Sequence, residues 1–105
     1  ASNEVTLSVA SGGLLPAAPT TLVSSVSGRT VSLAWTAPTT GATPTGYVIE
    51  VGSWAGGMNL AVLNTGSPAT AISGPVAPGV YYIRVRTRAG GLVSGASNEV
   101  RVEVP

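Results

Sequence analysis

The 105-residue sequence has no Cys, His, Asp, Lys, Gln or Phe. Without Cys there is neither a disulfide framework nor a thiolate metal site. Without His or Lys no serine has the base that ordinarily activates a nucleophilic hydroxyl. Four scattered Glu supply too few ligands for a metal centre. Charged residues make up 9% of the chain, all of them Arg or Glu, against about 25% in a typical soluble domain. The net charge of +1 gives no electrostatic case for nucleic acid or an anionic membrane surface. No apolar run reaches the length of a membrane-spanning helix, so membrane insertion is not expected. No cofactor motif is present: the glycines precede no helical stretch and form no phosphate-cradling loop.

What is there is a repeat. Ala1-Ser2-Asn3-Glu4-Val5 returns as Ala96-Ser97-Asn98-Glu99-Val100, 95 residues later, and each copy continues in apolar/polar alternation, to Val9 and to Val104. That offset is about one small domain, far longer than a solenoid period. Residues 1–10 therefore read as a final strand copied from a preceding repeat, residues 11–18 as a linker, and residues 19–105 as one domain. Pro16 and Pro19 favour extended backbone in the linker, and its glycines permit a bend. Leu14 and Leu15 are expected to cover the seam between neighbouring modules.

Within the domain, period two dominates. Val31, Leu33 and Trp35 share one face; so do Tyr47, Ile49 and Val51, with Glu50 opposite. Tyr81 to Arg88 sets Ile83 and Val85 against Arg84, Arg86 and Arg88, and Val100, Val102 and Val104 oppose Arg101 and Glu103. Such alternation marks antiparallel strands with one buried face. Weaker strands are expected over 20–26, 60–64 and 69–73. Turn signals fall between them, including Ala55-Gly56-Gly57, Ala77-Pro78-Gly79 and Ala89-Gly90-Gly91. The total is seven strands, an all-β, immunoglobulin-like antiparallel sandwich with an extra N-terminal strand segment.

The ordered set resembles a fibronectin type III domain of the bacterial extracellular kind. It comprises Pro19-Thr20-Thr21-Leu22, Val31 to Trp35 followed by Pro38, Gly46 to Val51, Val76-Ala77-Pro78-Gly79 with Tyr81 to Arg86, and Ser97 to Val100. The resemblance implies two sheets, three strands against four, a core centred on Trp35 and Tyr47, and a Tyr81 hydroxyl tied to backbone near Val76. It also implies a secreted or cell-surface, non-catalytic spacer and interaction module. Some family members bind receptors through an Arg-Gly-Asp tip, but the corresponding loop, Arg88-Ala89-Gly90-Gly91-Leu92, has no Asp.

Two surfaces are candidates for partners. The arginines 84, 86 and 88, with Tyr82 on the same face, form either a solubilising face paired with Glu50 or a shallow surface for an acidic polymer or a neighbouring module. Trp54 follows the third strand in a glycine-rich connection, where an exposed indole stacks on sugar rings, folds back over the sheet or packs on a neighbouring domain. The expected partners are neighbouring repeat domains of the same polypeptide, with polysaccharide or another protein as the alternative. Residues 1–10 are expected to add to a sheet edge, in their own chain or in a strand-exchanged oligomer.

Overall fold

The computed structural model describes residues 15–105. Every regular element among them is a strand: β1 Thr20–Ser27, β2 Thr30–Thr36, β3 Gly46–Gly52, β4 Ala61–Asn64, β5 Ala71–Pro75, β6 Gly79–Ala89, β7 Leu92–Ala96 and β8 Val100–Val104. One sheet runs β1-β2-β5; the other runs β4-β3-β6-β7, with β8 continuing on β6 beyond the end of β7. All pairings are antiparallel. This is an all-β sandwich. The expected extra strand over residues 1–10 lies outside the described residues.

The inward halves of the alternating strands meet as the core: Val31, Leu33 and Trp35 from β2, Tyr47 and Ile49 from β3, Ile83 and Val85 from β6, Val102 and Val104 from β8. Trp35 and Tyr47 meet edge to face, 5.1 Å between ring centroids at 67°, a geometry that adds about 0.5–1.5 kcal/mol beyond the area buried. Burial pushes the Tyr47 phenol above its ordinary pKa. Tyr81 is half-buried and its hydroxyl donates to the Ala77 carbonyl at 2.7 Å, pinning the β5–β6 connection one residue beyond the expected position.

The strand count is eight, not seven, because the last strand is split and starts earlier than the alternation indicates. Gly90, at φ +59°, lets Ala89 and Leu92 pair across a two-residue turn, so β7 begins where a loop was expected. Two serines hold this irregular stretch to β6. The Ser94 hydroxyl accepts from the Thr87 N–H at 2.8 Å. Ser97 bonds Val85 twice, its hydroxyl accepting from the Val85 N–H and its own N–H donating to the Val85 carbonyl. Side-chain oxygens thus stand in for ladder carbonyls where the strand breaks.

At the other edge, Thr21 sits at φ 56° and the β1–β2 register slips between Thr20 and Val23. This bulge turns Leu22 into the core and leaves both its backbone groups to Asn98, whose amide bonds the Leu22 N–H and carbonyl. The linker is also engaged: Pro16 is buried and bridges to Gly41 in the β2–β3 connection, where Ala42 N–H donates to the Leu15 carbonyl. The Leu15 side chain itself is exposed.

Candidate functional site

The outward face of the larger sheet follows from the register. Val62, Glu50 and Arg84 lie in one row; Asn64, Val48, Arg86 and Ala96 in the next; Gly52, Tyr82 and Arg101 in another towards the opposite end. Glu50 is 5% exposed although it points away from the core. Arg84 and Arg86 close over it, their Nε atoms donating to its two carboxylate oxygens at 2.6 and 3.0 Å. Burial alone would push the Glu50 carboxyl up, but the hydrogen bonds and charges of the two arginines outweigh it and hold the group below its ordinary range. Arg86 also donates from Nη1 to the Ser94 carbonyl. Two of the three arginines are therefore occupied in holding three strands in register.

Arg88 is elsewhere. It pairs with Gly46, and its Nε donates to the Gly90 carbonyl. Trp54 lies beyond Gly52, six residues further along β3, a strand distance of roughly 20 Å. The five expected surface residues therefore do not converge: Trp54 and Tyr82 mark one end of the face, Arg84 and Arg86 the middle, Arg88 the far end.

The Trp54 end is a constructed loop. Gly52 has no side chain, and a Cβ there would overlap the Gly57 carbonyl, so the β3–β4 connection folds back onto the outer face of its own sheet. Within it, Asn59 accepts from the Ser53 N–H at 3.0 Å and the Gly57 N–H donates to the Trp54 carbonyl. The Gly56 N–H then reaches the Glu99 carboxylate at 2.8 Å, anchoring the loop to the segment just before β8. The indole lies against the Gly57 backbone and remains 58% exposed. Beside Tyr82, Arg101 bonds Glu103 at 3.3 Å. The result is a braced, solvent-facing ring on a surface with little free charge, suited to stacking and poorly suited to proton transfer.

The sequence singles out Trp54 by its place after a strand but carries no sign of the Gly56–Glu99 brace, although Glu99 belongs to the repeated Ala-Ser-Asn-Glu-Val string. It likewise carries no sign of an apolar cleft of about 360 Å³ that opens between β4 and β5, flanked by exposed Leu60, Leu63 and Ile72 and floored by Ile49 and Ile83. Trp35 and Tyr47, expected in the core, are buried there. Among the described residues no three His, Cys, Asp or Glu side chains gather as metal ligands would.

No family model and no curated protein matches the sequence. Solved structures do. An Fn3-like protein from Clostridium thermocellum superposes with a TM-score of 0.69 at 26% identity, over 86% of this chain and 94% of that one. Domains A168-A170 from titin give 0.66 at 23% identity, over 86% of this chain and 32% of the larger one. A myokine structure gives 0.69 at 16% identity, over 86% and 98%. The last two speak to the fold alone.

Proposed function

We propose that this chain, a fibronectin type III-like domain by its likeness to the Fn3-like protein from Clostridium thermocellum, serves as a non-catalytic spacer and interaction module in a tandem-repeat extracellular protein. The observation that carries this reading is where the polar side chains are spent. Glu50, Arg84 and Arg86 hold strands together, Ser94, Ser97 and Asn98 complete ladders, and Glu99 braces a loop. Each is committed to the integrity of the module, which leaves little to act on a substrate. The Pro16–Gly41 bridge suits the same role, because it fixes the direction in which the linker leaves the domain.

A second reading is favoured by the braced indole: weak binding of polysaccharide or a surface polymer, with Trp54 as the stacking residue and Tyr82 on the neighbouring row. The arginine face contributes less to it, since Arg84 and Arg86 already hold Glu50. The two readings separate in one experiment. The chain and its Trp54→Ala variant are incubated with a panel of insoluble polysaccharides, and depletion from the supernatant is measured. The spacer reading expects no depletion of either protein. Depletion of the parent that vanishes in W54A replaces it with the carbohydrate reading.

A further inference from the structure

The sandwich is sealed along one side and open along the other. On the sealed side the Asn98 amide ties the segment before β8 to β1. On the open side β4 ends the larger sheet and β5 ends the smaller one, and nothing comparable joins them among the described residues. The register shows what faces this gap. Leu63 stands opposite Ile49, Ile72 opposite Leu33 and Gly74 opposite Val31, and all three partners are buried in the core. Directly opposed residues of an antiparallel pair share a face, so Leu63, Ile72 and Gly74 belong to the interior. Yet Leu63 is 50% exposed and Ile72 39%. Solvent reaches an inward face that the protein does not fill.

Gly74 leaves the gap. A Cβ there would meet no atom within 4 Å, although the position adjoins the core. A glycine inside a strand often marks the close approach of another backbone or of a ligand, and no backbone approaches this one. The chemistry of the cleft is uniform. No lining residue is charged, Ser73 lies on the outward face opposite Ser32, and the Tyr81 hydroxyl already donates to Ala77. An ionised ligand would lose its water there without gaining a partner. The volume of about 360 Å³ falls at the lower end of the roughly 300–1,000 Å³ that small-molecule pockets span. A peptide strand fits less well, since β4 offers four residues for a ladder and β5 ends in Pro75, which has no N–H.

We propose that the β4–β5 cleft is a binding site for small uncharged hydrocarbons. The ligand enters between Leu63 and Ile72, takes the space beside Gly74 and rests on Ile49 and Ile83. It is selected by size and apolar character, because the cleft presents no free polar side chain to orient it. The site lies between the sheets, apart from both Trp54 and the arginine face, and does not depend on the spacer reading.

The test is a methyl NMR titration of the full chain with toluene, and with benzoate as a charged counterpart of similar shape. Toluene should give saturable shifts at Ile49, Leu63, Ile72 and Ile83 and leave Val23 and Leu92 unmoved, while benzoate should shift none of them. Gly74→Leu puts an aliphatic side chain of the protein's own into the space and should abolish the toluene shifts. Gly74→Ala, a smaller intrusion, should weaken binding several-fold, and the spread of the remaining methyl signals reports that each variant is folded. The proposal is overturned by a parent chain without saturable shifts, by equal shifts with benzoate, or by toluene binding that both variants leave unchanged. Methyl shifts that follow protein concentration instead of toluene would place a second copy in the cleft and overturn it too.

Discussion

The Asn98 side-chain amide forms a two-bond ring with the Leu22 backbone, accepting from its N–H at 2.8 Å and donating to its carbonyl at 2.9 Å. A single side chain therefore supplies the pairing that β1 loses at its bulge, and it ties the first strand of one sheet to the break before the last strand of the other. Asn98→Ala leaves both Leu22 groups without partners in a half-buried place. The expected loss is about 2–3 kcal/mol in urea unfolding. Asn98→Asp should be about as damaging, since a carboxylate can accept from the N–H but faces the carbonyl with no donor.

Glu50 makes stability depend on acid. Its carboxyl is held low in the folded protein, so the unfolded chain takes up the proton first as pH falls. The stabilisation is complete above the unfolded Glu pKa of about 4.3 and is lost as pH drops through the lower folded value. The urea midpoint should accordingly fall between about pH 5 and pH 3. In Glu50→Gln that part of the slope should disappear, with stability at pH 7 lower by about 2 kcal/mol.

Thr87 is an opportunity for stabilisation. Its hydroxyl is buried with no partner, opposite Tyr47 in the register. Thr87→Val keeps the shape and removes the desolvated oxygen, while the backbone N–H still donates to Ser94. The midpoint of thermal unfolding should rise, by an amount corresponding to about 1 kcal/mol.

Gly52 controls where Trp54 sits. In Gly52→Ala the new methyl meets the Gly57 carbonyl, so the loop must lift from the sheet and release its Gly56–Glu99 bond. The exposed indole should become more accessible to acrylamide quenching, while buried Trp35 reports an intact core. Trp54→Ala, which removes a largely exposed side chain, should change stability by no more than about 0.5 kcal/mol.

The core was legible because its residues alternate without interruption. Ile83 and Val85 on one side of β6, and the arginines on the other, could hardly be arranged differently in an antiparallel sheet. β7 was not legible, because Gly90-Gly91 and Ser94-Gly95 carry the composition of a loop, and what holds the strand is a pair of serine hydroxyls rather than a hydrophobic period. The bulge at Thr21 was equally hidden, since a β-branched residue at positive φ runs against local preference. At the candidate site, the position of Trp54 after a strand was readable. Its brace was not, because 43 residues separate Gly56 from Glu99 and no periodicity links a loop amide to a distant carboxylate.

The bridge between Pro16 and Gly41 has a mechanical consequence. Tension entering at Leu15 and leaving past Val104 arrives at one end of the sandwich and departs from the other, because Val104 pairs with Gly79 at the start of β6. The load runs along the strands, so the bonds between β8 and β6 are sheared together instead of being unzipped singly. Pro16 passes part of that load into the β2–β3 connection before it reaches β1 and its bulge. A pulled module of this build should yield in one abrupt step, with the Asn98–Leu22 ring among the bonds that must rupture at once.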